Sequence, residues 1–169
     1  IRRASIAILA ASLIAACSGP STSSDTLLGR TISIGQAHPL SDPAATITSW
    51  SEVATGNQRI LLNFWASWCI PCRADNVHLK KLYDSYRDRG FVIIGISLDD
   101  KKEKWVKAIM EDKLPWIHTS ELNAFENKLA RLYGVQPIPD NFLLDPQGKI
   151  IARQVKGNVL DDILKKEIK

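Results

Sequence analysis

Apolar residues fall along this chain in two alternating rhythms. Short, nearly continuous runs suited to buried strands give way to stretches where they recur every three or four residues, as on one face of a helix. Gln58 to Phe64 is the first secure strand, with Leu61 to Trp65 apolar and aromatic enough to be buried. From Pro71 to about Arg89, Leu79, Leu82, Tyr83 and Tyr86 repeat at helical spacing, and Gly90 is placed to end the helix. Phe91 to Leu98 is apolar almost without a break and closes on Asp99-Asp100, the pattern of a central strand covered on both faces. Asp100 with Glu103 makes a capping box for a helix from Lys101 to about Asp112, with Trp105, Val106, Ile109 and Met110 as its stripe. Leu114 to Thr119 reads as short strand or loop and leaves Trp116 and His118 unplaced. Asn123 with Glu126 signals a helix through Phe125, Leu129 and Leu132 to Tyr133, stopped by Gly134. Phe142 to Leu144 and Lys149 to Gln154 predict a hairpin around Asp145-Pro146-Gln147-Gly148. Val159 to Lys169 is an amphipathic closing helix capped by Asn158, with Leu160, Ile163 and Leu164 inward. Strands alternating with helices predict an α/β sheet with helices on both faces.

Upstream the pattern changes. Leu27 to Gly35 alternates weakly and reads as a short strand, while Gln36 to Gly56, broken by Pro39 and Pro43, reads as loop with one helical turn near Trp50 to Val53. Ser18 to Thr26 is rich in Ser, Thr, Gly and Pro, the composition of a flexible tether. Ile1 to Ala16 carries two arginines and then an apolar run, as a targeting segment does, and the run is shorter than the roughly 20 residues a membrane span needs. Ile14-Ala15-Ala16-Cys17 resembles a bacterial lipobox, in which cleavage leaves Cys17 as a lipid-modified N-terminus; an ordinary signal peptide with an incidental cysteine is the other reading. The expected organisation is a signal peptide at 1–16, a lipidated tether at 17–26, and one domain at 27–169, in which 27–57 extend a core at 58–169.

Composition changes this picture little. The 169 residues suffice for one domain and an extension. The formal charge of +4 includes Arg2 and Arg3 of the leader, and no Lys/Arg cluster with interleaved aromatics points to nucleic acid.

The chemistry lies at the junction between the first strand and its helix. Pro71 suits a first turn, whose N–H groups lack partners, so Cys69 sits at the helix N-terminus. Free N–H groups and the helix dipole there favour a thiolate, making Cys69 the candidate nucleophile. Cys72, one turn on, is the candidate resolving thiol, and such a pair opens and closes a disulfide by exchange. A zinc site would need four ligands, and Cys17 is the one further cysteine. A structural disulfide closing a two-residue loop would constrain little of the unfolded chain. Asp75 falls on the apolar face of the helix, either as a first-turn acid favoured by the dipole or as a partly buried acid/base exchanging a proton with Cys72.

Phe64-Trp65-Ala66-Ser67-Trp68-Cys69-Ile70-Pro71-Cys72-Arg73 closely resembles the active-site segment of thioredoxin-like proteins, and the span from Leu27 onward resembles the TlpA/ResA type of membrane-anchored envelope thioredoxin. Tyr133-Gly134-Val135-Gln136-Pro137-Ile138-Pro139-Asp140-Asn141-Phe142 is similar to the family's stretch with a cis-proline, which aligns with Pro139. The resemblance implies a thioredoxin-like fold: a central mixed sheet, helices on both faces, and a short N-terminal β extension. It implies that Ile138 offers its backbone to an extended substrate segment, and that Trp65, Trp68, Ile70, Pro71, Ile138 and Pro139 shape the docking surface. Members of the ResA type carry a glutamate where Asp75 stands, and thioredoxins proper carry a buried aspartate where Asn63 stands; Asn63 cannot titrate, which turns attention to Asp75. The expected activity is thiol-disulfide exchange on protein substrates in the cell envelope, in the reducing direction, with electrons from a membrane thiol transporter and with apocytochrome c among the substrates. No metal or organic cofactor is required. Three other readings remain open: an oxidase or isomerase with the same cysteines, a peroxidase, and a binding module without activity. A peroxiredoxin-type motif would need Pro and Thr where Leu62 and Ala66 stand.

Overall fold

The computed structural model describes residues 40–41, 47–48 and 53–168. The expected leader, Cys17, the tether and the Leu27–Gly35 strand lie outside the described residues. Two short strands, β1 (Leu40–Ser41) and β2 (Ile47–Thr48), pair antiparallel in a segment expected to be loop. They belong to the N-terminal extension and form a two-stranded sheet of their own, with Leu40–Ser41 lying against strand Ile117–Ser120 of the main sheet.

The main sheet has five strands: β3 (Arg59–Trp65), β4 (Phe91–Ser97), β5 (Ile117–Ser120), β6 (Asp140–Leu144) and β7 (Ile150–Arg153). Their order is β5-β4-β3-β6-β7, parallel from β5 to β3 and antiparallel from β3 to β7. Among the described residues the helices are α1 (Ile70–Tyr86), α2 (Lys102–Asp112), α3 (Lys128–Leu132) and α4 (Gly157–Glu167), and Val53 and Ala54 ahead of β3 are also helical.

Side chains alternate across a strand, so each central strand feeds two cores. Leu61, Trp65, Ile93 and Leu143 face α1, α2 and α4, meeting Leu79, Tyr86, Trp105, Leu160 and Leu164. Ile60, Leu62, Phe64, Ile94, Ile96 and Phe142 face the other way, onto Leu129, Ala130 and Tyr133 around α3. Burial on both faces explains the unbroken apolar run of β4, all seven residues of which are buried.

Several expected boundaries shift. The last turn of α1 tightens into a 3-10 turn, Arg87–Arg89, before Gly90 ends it at φ 94°, a left-handed conformation that glycine adopts without strain. Asp100 does not cap α2. The β3–β4 pairing continues to Leu98, whose N–H donates to the Trp65 carbonyl at 2.8 Å, so the chain turns later and enters the helix from an extended Lys101. Asn123 precedes a 3-10 turn, Ala124–Glu126, without a side-chain cap bond, and the Asn127 side chain accepts the Ala130 N–H at 3.1 Å to start α3. Asn158 lies inside α4, which starts at Gly157 from an extended Lys156. The β6–β7 hairpin turns where expected, with the Gly148 N–H donating to the Asp145 carbonyl at 3.0 Å.

Trp116 and His118, unplaced by sequence, are both buried. His118 pairs with Gly95 across the β4–β5 ladder, where a Cβ would come within 2.6 Å of Nδ1, so only glycine lets the ring close over the sheet.

Candidate functional site

β3 ends at Trp65, and four residues later the chain enters α1. Cys69 is the N-cap, with extended backbone (φ −86°, ψ 96°); its N–H donates to the Ala66 carbonyl and its carbonyl accepts the Arg73 N–H, both at 3.1 Å. Pro71 occupies the first turn, as expected. The Cys72 N–H donates to Cys69 Sγ at 3.2 Å, so an otherwise partnerless donor of the helix end points at the sulfur. The two cysteines are joined in a disulfide with their Cα atoms 5.2 Å apart. Cys69 keeps 5% of its surface and Cys72 1%, so Cys72 is the more deeply buried of the two.

The loop before Cys69 is stitched to the end of β4. Asp99, itself 1% exposed, accepts the Ser67 backbone N–H at 3.0 Å, the Ser67 hydroxyl at 2.5 Å and the Ser97 hydroxyl at 2.7 Å. Sequence reasoning missed this contact, because Ser67 and Asp99 are 32 residues apart.

Around the cysteines, Trp68 is 54% exposed, Ile70 82% exposed, and Pro71 exposed. The bond between Ile138 and Pro139 is cis, as the resemblance implied. Pro139 is half-buried, as is Ile138, which packs against the cluster that contains Cys69 and Cys72. Trp65 departs from expectation: it is fully buried. As the last residue of β3 it shares a face with Leu61 and Asn63, so its ring lies under the site, 5.8 Å from His118, and forms no part of a docking surface. Phe125 takes an outer position instead, half-exposed with its ring centroid 6.5 Å from that of Trp68.

Asp75 lies on the other side of α1, with its side chain 31% exposed and paired to Lys156 at 2.7 Å. Lys156 arrives there because Asn141 grips the segment before α4: its amide donates to the Val155 carbonyl and accepts the Val155 N–H, both at 3.0 Å. Asp75 therefore stands beside an ammonium rather than among leucines alone. Both border a cavity of about 400 Å³ lined also by Asn63, His78, Leu79 and Asn141. Asn63 donates to Asn76 at 3.1 Å within the core, and Asn76 Nδ2 is buried without a hydrogen-bond partner among the described residues. Arg73 clamps α1 to α2 through a bidentate contact with Asp112 at 2.6 and 2.8 Å and a contact with Glu111 at 3.1 Å. Hydrogen bonding to Asp112, opposed by partial burial, holds Arg73 above its ordinary pKa, a permanent cation one residue past Cys72.

No helix among the described residues is long and apolar enough to cross a membrane. Residues 57–150 match the thioredoxin-like family. Human nucleoredoxin is 39% identical over 104 residues, 59% of this chain and 23% of that protein. The thiol-disulfide oxidoreductase ResA of Bacillus thuringiensis subsp. konkukian is 28% identical over 110 residues, 65% of this chain and 61% of that one. The chain thus spans about a quarter to three-fifths of these curated relatives. Among solved structures, a thiol-disulfide oxidoreductase from Bacteroides fragilis superposes with a TM-score of 0.69 at 37% identity, covering 75% of this chain and 93% of that one. The thioredoxin domain of a thiol-disulfide oxidoreductase from Bacteroides vulgatus gives 0.68 at 31% identity, with 76% and 90% covered. With a helix-capping cysteine, its buried partner and a cis-proline in one fold, this chain belongs to the thioredoxin-like family.

Proposed function

We propose that the chain exchanges disulfides with protein substrates in the cell envelope, anchored by lipid at Cys17 and working in the reducing direction. The observation that carries this reading is the placement of Cys69 at the mouth of α1 ahead of the more deeply buried Cys72, where the nucleophile is reachable and its partner shielded. In the reduced enzyme, Cys69 thiolate attacks one sulfur of a substrate disulfide; the S–S bond breaks, a mixed disulfide forms, and the departing substrate sulfur takes up a proton. Cys72 then loses its proton, for which Asp75 is the acceptor, and attacks Cys69 Sγ. The second substrate thiol leaves and the pair returns to its disulfide. Two electrons and two protons from a membrane dithiol donor restore the reduced enzyme. Trp68, Ile70 and Pro71 with Ile138 and Pro139 supply an apolar platform and a free backbone edge for an extended segment. The thiols of apocytochrome c, kept reduced for haem attachment, are the substrates that kinship with ResA suggests.

Two measurements test this. Cys72→Ser should trap a mixed disulfide between Cys69 and its substrates, and Cys69→Ser should trap none; unchanged exchange in Cys69→Ser would remove the enzymatic reading. A reduction potential near or below about −270 mV supports a reductase, whereas one near about −120 mV makes the protein a disulfide donor.

A further inference from the structure

One buried carboxylate has no part in the exchange steps above. Asp99 is 1% exposed, and no Lys, Arg or His among the described residues forms a salt bridge with it. Its oxygens are satisfied by three neutral donors instead, the Ser67 N–H and the hydroxyls of Ser67 and Ser97. Burying an ionised carboxylate without a counter-charge is costly even when it is hydrogen-bonded. A neutral acceptor such as asparagine would tether Ser67 at less cost, so what the carboxylate adds is its charge. That charge lies against a residue two positions before Cys69, in a turn closed by the Cys69 N–H on the Ala66 carbonyl.

We propose that Asp99 is a positioning residue that tunes Cys69. Through Ser67 it fixes the loop that presents the sulfur, and its charge opposes the pull of the α1 N-terminus toward the thiolate. A nucleophile held back from the thiolate destabilises the reduced pair relative to the disulfide, which lowers the potential and makes the pair a stronger reductant. The inference rests on the reading of Cys69 and Cys72 as an exchanging pair, and gives a physical basis for its reducing direction.

Other charges surround the sulfur. Arg73 of α1 is engaged by Asp112 and Glu111. Lys104 and Lys107 of α2 line an open cleft with Ser67 and Trp68. Asp75 and Lys156 pair on the α4 side, His118 of β5 lies under Trp65, and Asp100 is exposed. Asp99 differs from these in being buried and hydrogen-bonded to the loop itself. In the effective dielectric near a protein surface, a unit charge acting over roughly 10 Å changes a thiolate population about tenfold.

The test is the pH dependence of Cys69 alkylation by iodoacetamide in the reduced full chain, followed by mass spectrometry of the Cys69 peptide, together with the potential of the pair in glutathione buffers. Asp99→Asn should move the alkylation midpoint down by about one pH unit and raise the potential by about 30 mV, the equivalent of tenfold for a two-electron couple. Ser67→Ala keeps the charge but removes a donor that disperses it, so its midpoint should move up by a few tenths of a unit. Opposite signs identify a charge effect, because a merely loosened loop would shift both variants the same way. Shifts of the same sign, or an unmoved midpoint in Asp99→Asn, overturn the proposal. Should Asp99→Asn fail to fold, Ser67→Ala and Ser97→Ala carry the test, and a midpoint that stays or falls in both overturns it. Alkylation reads the thiol directly, so a chain that exchanges no protein disulfides would refute the proposed function while leaving this result legible.

Discussion

Arg153→Met offers a quantitative test of how the substrate side of the sheet is held. Asp140, the residue after Pro139, is fully buried, and its carboxylate meets Arg153 through three contacts at 2.6, 3.2 and 3.3 Å. Arg153 is itself 12% exposed, with its guanidinium carbon 4.7 Å from the centre of the Phe142 ring. Removing one partner of a buried pair leaves the other charge without compensation, at a cost of about 3–5 kcal/mol. Loss of the cation–π contact adds about 1 kcal/mol, and the apolar methionine offsets a similar amount by packing on Phe142. The net expectation is a loss of about 4 kcal/mol, which at a urea m-value of about 2 kcal/mol/M lowers the unfolding midpoint by about 2 M. Adding Asp140→Asn should recover at least half of that loss, since the stranded charge is then gone. A single variant that loses less than about 1 kcal/mol, or a double variant no more stable than the single, would refute the argument.

Two further predictions concern the opposite edge of the sheet and its closing helix. Gly95→Ala forces a methyl into His118 and should cost about 1–3 kcal/mol in chemical unfolding without changing the potential of the cysteine pair, because the crowding lies on the β5 side. Hydrogen bonds from Lys165 and Tyr86 hold the Asp161 carboxyl below its ordinary pKa of 3.8. With the folded value below the unfolded one, this contact stabilises the fold above the ordinary value and is lost as pH falls through the folded value, so Asp161→Asn should flatten the acid limb of Tm against pH.

Much of the site was legible because its signals are local. Cys69, Pro71 and Cys72 fall within four residues, and what they need is a strand that ends and a helix that begins, both visible in apolar spacing. The α1 face was legible for the same reason. What stayed hidden depends on contacts between distant residues: Ser67 with Asp99, Asn63 with Asn76, and Lys156 with Asp75 each join separate elements, and no spacing rule predicts which polar side chains converge once a sheet is assembled. Trp65 is a different failure. Period-two alternation puts it with Leu61 beneath α1, so its burial could have been read from β3, but proximity to the cysteines suggested a surface role. The caps erred because Asn123 and Asp100 satisfy a sequence motif whose realisation depends on where the preceding strand stops pairing; Asn127, without an acid three residues on, was passed over.

The remaining question of chemistry is where the proton of Cys72 goes, and the residues narrow it. Asn63 occupies the middle of the sheet under α1 and cannot accept a proton, its amide being committed to Asn76. His78 borders the same cavity but is exposed and six residues beyond Cys72, and Asp99 is turned toward the Ser67 loop. Asp75, one turn beyond Cys72 and bordering a cavity large enough for several water molecules, is the carboxylate we propose as the acceptor. Its replacement should therefore act on one step. In Asp75→Asn, attack by Cys69 should be unchanged, while resolution by Cys72 should slow by at least about tenfold, a mixed disulfide accumulating in single-turnover quench experiments. If both steps run at the rates of the parent chain, Asp75 is no more than the partner of Lys156, and Cys72 gives its proton to water.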